Sequence, residues 1–414
     1  MCKIKLKNIA IELVFLFILF QSVLLNYTSG FIYNVILYTD ELLECIMLIM
    51  ILVKLFTRPV TLKKIEKYII LCWVLFITIG LLSNVFYPMQ NWIYNIIDAL
   101  ICSRFLVYYF WCRLFYNSIS TSVIKELACI CKICAVVFFT LTIHDIIFTP
   151  FFQKGGFRYF TETIQLFFNL HSLFAVTCFS CSVILIMEMG IKKINNFPYI
   201  AMLLFCMFMT LRMKAIASLA VVILLYICLF KFHIISEYVL GLSGLLFAVL
   251  LGWEQFSFYY LEHSDFSVRS QLTQNSIMLA TNYFPLGTGF ATYGSNMARV
   301  HYSELYNSLG FNKLPGGTGS FLCDTFWPTV IGQTGWIGTL FFILIITSFI
   351  LIILNFKNNN LYLYWAGLSV IAYELISSTS ETAFFNPTAT MLFIALALMV
   401  NESNKRTGIK KRNG

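Results

Sequence analysis

Charged residues, proline and histidine are scarce in this sequence. Of its 414 residues only 11% are charged, 8 are proline and 5 are histidine, whereas 59% are hydrophobic. A soluble globular protein of this length is excluded, because there is too little polar surface to cover it. Apolar runs of about 20 residues recur instead, and as helices they can cross the ~30 Å hydrocarbon core. The composition therefore predicts an all-α polytopic membrane protein.

About twelve transmembrane helices are predicted from these runs. Nine lie within residues 1–252 and three within 328–401, with a long polar segment at 253–327 between them and a basic tail at 402–414. The first run follows three lysines and has no small-residue cleavage site after it, so it is predicted to be retained. The predicted spans are 8–25, 35–56, 68–87, 92–115, 127–148, 164–189, 197–211, 215–231, 236–252, 328–355, 361–378 and 387–401.

Basic residues predict which side of the membrane each connector faces. Lys and Arg are concentrated at the N-terminus, in alternate connectors and in the tail, which places both termini in the cytoplasm. We therefore attribute the formal net charge of +9 to basic residues that set the membrane topology and contact anionic lipid. A nucleic-acid-binding protein would concentrate this charge on a soluble face. Residues 253–327 are predicted to form one large extracytoplasmic loop that contains short helices.

Several basic residues lie on the predicted outer side, where the topology rule does not explain them. The spans at 197–211 and 215–231 leave no room for a generous loop between them, so Arg212 and Lys214 are predicted at a tight junction near the outer interface. A cation there is costly unless it snorkels, pairs or meets an anion. We expect an anionic ligand on the outer face, and interfacial anchoring is the alternative. The other basic residues on this side are Lys154, Arg158, Arg269, Arg299 and Lys313.

Other polar residues within the spans have structural interpretations. Asp98 and Arg104 are each predicted to face a partner on another helix, and pairing is also expected for Asp40, Glu41 and Glu44. A polar group that starts the sixth span is predicted to line a cavity with Arg158: Gln165, Asn169, His171 and Ser172. Five cysteines mimic metal-ligand spacing but lie in apolar runs, where cysteine is a small hydrophobe. They are Cys129, Cys131, Cys134, Cys178 and Cys181, and no metal is predicted.

The long polar segment contains a predicted helix followed by a glycine-rich turn. Ser267 to Asn282 has good helix formers and no glycine or proline, with Arg269 on its polar face. Pro285 stops the helix, and the glycines of YFPLGTGFATYGS permit backbone turns that a side chain would block. GTGF is a weak phosphate motif by itself, because no predicted strand precedes it.

Three stretches carry a resemblance to a known family. They read RSQLTQNSIMLATNYFPLGTGFATYGS from Arg269, YSELYNSLG from Tyr302 and CDTFWPTVIGQTGWIGTLFF from Cys323. With the T-x-R-x-K-A junction at 210–215 and ETAFFNPTA before the last span, they resemble the O-antigen polymerase and ligase superfamily, and are closer to its Wzy-type polysaccharide polymerases. The architecture matches over the whole chain, and the specific motifs match from about Arg158 onward.

The resemblance implies metal-independent glycosyl transfer, without a cofactor, on the outer face of a bacterial cytoplasmic (inner) membrane. The donor would be an undecaprenyl diphosphate-linked oligosaccharide and, in a polymerase, the acceptor would be another lipid-linked repeat unit. Membrane lipid, a chain-length regulator and a flippase are the expected partners, and nucleic acid is not. A diphosphate leaving group needs fixed cations, and arginine gives bidentate contacts that are always charged. We therefore predict Arg269 as a catalytic residue, and we predict substrate binding by Arg158, Arg212, Lys214, Gly287, Gly289 and Tyr293.

The base that would deprotonate the acceptor hydroxyl is left open by the sequence. Asp324, Glu304 and His301 are the catalytic candidates, and Glu374 and Glu381 are further options. His301 favours the ligase branch, but here the asparagine that usually follows the ligase histidine is missing. The ligase is therefore an alternative to the polymerase.

Three other classes are weighed against glycan polymerisation. Twelve spans would suit a flippase or transporter. Such folds usually show two similar halves, whereas here only the second half of the chain carries a long loop. A transferase that uses polyprenyl-phosphate sugars would be expected to place acids in its first outer loop, and NYTSGFIYN has none. A non-enzymatic scaffold leaves the outer cations unexplained.

Overall fold

The computed structural model of the protein describes residues 2–57, 62–148, 151–152, 155–159, 161–232, 267–314 and 317–412. Nearly all of the described elements are helices, and the two strands form one short hairpin. The elements are α1 (Cys2–Asn26), α2 (Gly30–Thr57), α3 (Lys64–Phe86), α4 (Trp92–Phe115), α5 (Ser120–Ile147), β1 (Phe157–Arg158), β2 (Thr161–Glu162), α6 (His171–Lys192), α7 (Phe197–Met209), α8 (Met213–Tyr226), α9 (Val268–Asn282), α10 (Asn296–Val300), α11 (Glu304–Ser308), α12 (Trp327–Leu354), α13 (Leu361–Ser377) and α14 (Ala389–Arg412).

Seven of the described helical segments are long and apolar enough to cross a membrane. Two shorter apolar helices, α7 and α13, accompany them. The chain is therefore an all-α, multi-pass membrane protein, as its composition predicts. The seven segments are Asn8–Asn26, Lys64–Phe86, Trp92–Phe115, Ser120–Ile147, His171–Lys192, Met213–Lys231 and Trp327–Leu354. The predicted span at 236–252 and the first part of the predicted loop lie outside the described residues.

Helix bounds differ from the predicted spans by several residues at some ends, among them the starts of α5 and α6 and the end of α14. The sixth span was expected from residue 164, whereas α6 begins at His171. Ahead of it the β1–β2 hairpin forms, and the Ile164 amide donates to the Met209 carbonyl at 3.1 Å, which holds this stretch beside the end of α7. At the C-terminus α14 continues to Arg412, because the Lys, Arg and Glu of the predicted tail are good helix formers.

Helix α4 is the buried centre of the bundle. Nearly every residue from Ala99 to Leu114 is buried, and the ring of Phe105 meets Phe342 of α12 and Phe393 of α14, with centroids 5.9 and 4.7 Å apart. Aromatic contacts of this kind contribute beyond the area that they bury. Helix α4 thus fixes the first helices of the chain against the last ones.

The turn that follows α9 is buried between α3, α4 and α12. Helix α12 has a non-helical residue at Gly335, and this break exposes carbonyls that accept from the turn: Thr288 N donates to Gly332 O at 3.0 Å, and Gly289 N to Gln333 O at 2.8 Å. The amides of the turn and the carbonyls freed at the break therefore satisfy each other's hydrogen bonds. Irregular backbone that is buried in a membrane protein requires such partners.

Candidate functional site

One cavity of about 840 Å³ is lined by helices from both halves of the chain. Its walls come from α1, α2 and α4, from the residues around α6, from the α7–α8 junction, from α9, and from the residues that precede α12 and α14. The lining side chains include five basic and five acidic ones. They are Arg104, Arg158, Arg212, Lys214 and Arg269, and Asp40, Glu41, Asp98, Asp324 and Glu381.

Four of the basic residues form what we call the basic wall: Arg158, Arg212, Lys214 and Arg269. They come from four separate positions, namely strand β1, the α7–α8 junction, the first turn of α8 and the first turn of α9. The structure thus brings together all four cations that the sequence predicts as ligands of an anion.

Arg212 is held at a three-residue junction between α7 and α8. Helix α7 ends at Met209, Leu211 has a positive φ of 48°, and Arg212 itself is the extended N-cap of α8. The N-terminal end of α8, which carries positive partial charge, therefore faces the cavity beside the guanidinium. The structure thus confirms the tight junction that the two short predicted spans indicate for Arg212 and Lys214.

The charge on Arg212 is only partly compensated, because Glu381 and Asp324, whose charges favour it, form their ion pairs with Lys214 and Arg269. Burial and then the neighbouring charge of Arg158 lower the pKa of the Arg212 guanidinium from its ordinary value. Within the described ranges, Arg158 and Arg212 form no ion pair, and Arg212 Nε has no hydrogen-bond partner. Arginine stays charged in proteins, so an anion placed between these two groups would relieve the repulsion.

The other two cations of the basic wall are paired with acidic residues. Lys214 forms an ion pair with Glu381, which belongs to the ETAFFNPTA motif. Arg269 Nη2 donates to Asp324 Oδ2 at 3.2 Å, with the two side chains 20% and 35% exposed. Partial exposure screens such a pair, so an incoming anion can compete for either cation.

An acidic wall lies on α2, where Asp40, Glu41 and Glu44 surround Arg104 of α4. Arg104 contacts Asp40 Oδ2 through Nη1 at 2.9 Å, Glu41 Oε1 through Nη2 at 3.0 Å and Glu44 Oε2 through Nε at 3.3 Å. Asp40 and Glu41 line the cavity. The predicted pairing of Arg104 across helices is confirmed.

Asp98 is also paired across helices, as predicted. Its Oδ2 accepts from Ala291 N at 2.7 Å and from Gln333 Nε2 at 2.9 Å. Asp98 therefore connects the wall of the cavity to the buried turn and to the broken part of α12.

Two predicted catalytic residues lie away from the cavity. His301 and Glu304 are exposed, and neither belongs to the lining that the structure describes. The His301 ring stacks on Tyr94, with centroids 3.5 Å apart. Glu304 begins the short helix α11, whose Ser303 cap accepts from Leu305 N. Asp324 is the predicted base that the structure places at the basic wall.

Gly287, Gly289 and Tyr293 are buried in packing contacts and are not among the described lining residues. A Cβ at Gly287 would stand 2.4 Å from Gly335 N, and one at Gly289 would stand 2.4 Å from Asn84 Nδ2. The Tyr293 hydroxyl donates to Leu272 O at 2.8 Å. The observed contacts of all three residues hold the turn in place.

Of the remaining polar residues that were predicted near the site, some line the cavity and others do not. Ser172 lines the cavity, whereas Asn169 is exposed. His171 Nδ1 lies 3.3 Å from Gln165 Oε1. Of the further candidate bases, Glu381 lines the cavity and Glu374 is buried outside the lining. Over the described part of the chain, no group of His, Cys, Asp or Glu side chains is arranged to hold a metal ion.

The acidic wall is the part of the site that sequence reasoning underestimated. Asp40, Glu41 and Glu44 place three carboxyl groups within five residues of an apolar helix, and such groups are costly to bury in lipid. Their presence therefore indicated that this part of the helix faces a polar space. Interpreting these residues only as structural pairing missed the cavity beside them.

No family model matches the chain, and no curated protein matches it significantly. Fold and site together define a helical multi-pass membrane protein that contains a cavity with one basic and one acidic wall.

Proposed function

We propose that this protein polymerises undecaprenyl diphosphate-linked oligosaccharide repeat units into a long surface polysaccharide, an O-antigen or a capsule. The observation that carries the proposal is the basic wall, where four cations from separate elements meet and two of them lack a carboxylate partner among the described residues. A diphosphate offers several oxygens within a short distance, and arginine contacts such oxygens in bidentate fashion.

In this proposal the basic wall takes the place of a metal ion. The diphosphate leaves the donor sugar as its glycosidic bond breaks, and negative charge grows on the leaving oxygen. Cations that are already in place in a low-dielectric cavity stabilise that charge without reorganising. Arg212 and Arg158 would hold the diphosphate, while Lys214 and Arg269 would exchange their carboxylate partners for it.

The proposal includes a topology. The chain would cross a bacterial cytoplasmic membrane about twelve times with both termini in the cytoplasm, as the distribution of basic residues favours. The basic wall, at the end of the bundle where α9 to α11 lie, would then face outward. In such a position it would receive lipid-linked repeat units after they have crossed the membrane.

Reconstitution tests this function against its alternatives. We expect purified protein in liposomes, supplied with an undecaprenyl diphosphate-linked repeat unit, to form products that grow by one repeat at a time. A single transfer to a different lipid acceptor would identify a ligase. Movement of the substrate across the membrane without bond formation would identify a flippase. Either of these two results would overturn the proposal.

The Arg212→Ala variant tests the basic wall itself. We expect it to weaken binding of undecaprenyl diphosphate about tenfold to a hundredfold, since a hydrogen bond to a charged group contributes about 1.5–3 kcal/mol. Arg212→Lys should also be impaired, because an ammonium group cannot form the guanidinium fork. Lys313→Ala is the matched control, since Lys313 is an exposed cation outside the cavity lining. Equal binding by all three variants would exclude the basic wall as the diphosphate site.

A further inference from the structure

The segment between α13 and α14 forms a part of the cavity wall that is polar but mostly uncharged. Ser380, Thr382, Asn386 and Thr388 line the cavity and are half-buried. Their hydroxyl and amide groups both donate and accept hydrogen bonds, which suits the hydroxyl groups of a sugar. Glu381 is the one acidic residue of this segment, and it lines the cavity between two of these hydroxyl side chains.

Asn386 keeps a donor for a ligand. Its Oδ1 accepts from Thr388 N at 3.1 Å and from Thr388 Oγ1 at 2.9 Å, which holds the amide group in place. Nδ2 meets no acceptor among the residues that the structure describes, and it is not a closed-off atom. A ligand in the cavity can therefore accept a hydrogen bond from it.

One oxygen of Glu381 is open to the cavity. Lys214 Nζ contacts Oε2, and the Glu381 side chain is 25% exposed. Oε1 has no partner in the described part of the chain, and it is not enclosed as Glu41 Oε2 and Glu44 Oε1 are. A hydroxyl group that lies along this segment can therefore approach the carboxylate.

Lys214 connects this carboxylate to the basic wall. It lies in the first turn of α8, two residues after Arg212. In a substitution at an anomeric carbon, the incoming and the leaving oxygen bond to the same carbon, so the base must lie near the cations that hold the leaving group. The ion pair of Lys214 with Glu381 places these two functions side by side.

Asp324 also pairs with a cation of the basic wall, but its surroundings differ. Phe321 and Cys323, which line the cavity beside it in the chain, offer a sugar fewer hydrogen bonds than hydroxyl and amide side chains do. The uncharged polar wall therefore favours Glu381 over Asp324 as the group that meets an acceptor sugar.

We propose that Glu381 is the general base of the transfer and that residues 380–388 bind the acceptor sugar, an inference that rests on the proposed function. The acceptor oxygen attacks the anomeric carbon of the donor and forms the new glycosidic bond, while its proton passes to Oε1 of Glu381. The bond between the anomeric carbon and the diphosphate oxygen breaks, and its electron pair leaves with the diphosphate. Glu381 releases its proton to water before the next cycle.

Binding of the donor prepares this base. When the diphosphate takes Lys214 into its own contacts, Glu381 loses its neighbouring cation. A carboxylate accepts a proton more readily without such a cation. The base thus becomes effective only when the leaving group is in place.

The Glu381→Gln variant in the reconstituted protein should have two opposite effects. We expect single-turnover transfer to slow by about a hundredfold or more. The Kd for undecaprenyl diphosphate should fall by up to about fivefold, because Glu381 no longer competes with the diphosphate for Lys214. In a Lys214→Ala background the same change should still slow transfer but should no longer tighten binding. A residue that only maintained the fold would weaken binding and transfer together.

Glu374→Gln is the matched control for the base. The charges of Glu381 and Lys214 both act on Glu374, but Glu374 is 2% exposed and outside the cavity lining. We expect its transfer rate to stay within about tenfold of the wild type, since a buried group cannot take a proton from the acceptor directly.

The acceptor site is tested separately through Asn386→Ala. This change should raise the KM for the acceptor repeat unit by about tenfold and leave the Kd for undecaprenyl diphosphate unaltered. Thr379→Ala is the matched control, because Thr379 is an exposed residue of the same segment outside the lining, and it should change neither quantity. An unaltered KM in Asn386→Ala would remove the acceptor site from this segment.

Other outcomes would overturn the assignment of the base. If Glu381→Gln transfers within about tenfold of the wild-type rate, Glu381 is only the partner of Lys214. If Glu374→Gln is as slow as Glu381→Gln, the two carboxylates act only through their charge on Lys214. If Glu381→Gln does not insert, Glu381→Asp decides, because it keeps the charge but withdraws the carboxyl group by one methylene. That variant should lose about tenfold or more in rate, and a wild-type rate would exclude Glu381.

The proposed function and this inference fail in different ways. A wild-type protein that does not bind undecaprenyl diphosphate would reject both. A wild-type protein that polymerises repeat units, while Glu381→Gln does so equally fast, would reject only the assignment of the base.

Discussion

At the scale of single residues, the chemistry depends on which charges are already neutralised. Asp324 accepts a hydrogen bond from Arg269, and Glu381 pairs with Lys214. Arg158 and Arg212, by contrast, form no ion pair with a described carboxylate. In the proposed function these two guanidinium groups would be the first to contact the diphosphate, and the two ion pairs would limit how much further positive charge becomes available.

Asp324 can be tested as a charge partner against its predicted role as a base. We expect Asp324→Asn to tighten binding of undecaprenyl diphosphate by about fivefold, because Asp324 no longer competes with the diphosphate for Arg269 and an exposed pair contributes up to about 1 kcal/mol. Transfer should stay within tenfold of the wild-type rate. Binding is measured by titration, and the rate by single-turnover product analysis.

The control for Asp324 is Glu304→Gln, an acidic residue of the same segment that is exposed and outside the cavity lining. It should change neither binding nor rate. A hundredfold loss of rate in Asp324→Asn with unaltered binding would mean that Asp324 is the base, and would contradict its role as a charge partner alone.

At the scale of elements, the position of the site depends on the buried turn between α9 and α10. Ser83 Oγ donates to Gly287 O at 2.6 Å, and Asn84 exchanges two hydrogen bonds with Phe290, at 3.0 and 2.9 Å. Asp98 receives the next amide, that of Ala291. The turn thus locks α9, and Arg269 with it, to helices from the first half of the chain.

Gly287 makes a close backbone contact in this arrangement. It has φ +80°, and a Cβ would collide with the backbone of α12 at the Gly335 break. We expect Gly287→Ala to lower the free energy of unfolding by about 2–4 kcal/mol, from the cost of positive φ and from overpacking. The measurement is the thermal unfolding midpoint of the purified protein.

Gly310 separates these two costs. Its φ is +78°, and a Cβ there would meet nothing within 4 Å. Gly310→Ala should therefore lose only the roughly 1–2 kcal/mol that an L-residue costs at positive φ. If both variants lose the same stability, the close approach of the turn to α12 contributes nothing.

The elements were predictable from the sequence to different degrees. Most apolar helices begin and end within a few residues of their predicted bounds, because a hydrophobic run of fixed length has one stable arrangement in lipid. The helix that carries Arg269 was predicted because its helix formers end shortly before Pro285. The burial of the turn was not predictable, because Ser83, Asn84 and Asp98, which satisfy its backbone, lie 193 to 206 residues away in the chain.

At the scale of the whole molecule, the fold gathers charges that the sequence scatters. The positive-inside pattern predicted that Arg158, Arg212 and Arg269 lie on the same side of the membrane. Residues on the same side can still be far apart, so this prediction alone does not define a site. Their convergence required the α7–α8 junction, the β1–β2 hairpin and the start of α9 to meet at one end of the bundle. The acidic wall faces the same space from α2, so the lining as a whole carries equal numbers of acidic and basic side chains.

Membrane orientation is the property of the whole molecule on which the proposed function depends. The segment of α9 to α11 must face outward, so a cysteine there should react with a membrane-impermeant maleimide added to intact cells. Gly287 is unsuitable for labelling because it is buried, whereas Asn312 is exposed. We expect Asn312→Cys to be labelled in a Cys323→Ser background. Ser118→Cys, exposed in the α4–α5 turn, should react only after the cells are permeabilised. The reverse pattern would put the basic wall in the cytoplasm, where polymer made at this cavity would be on the wrong side of the membrane for a surface polysaccharide.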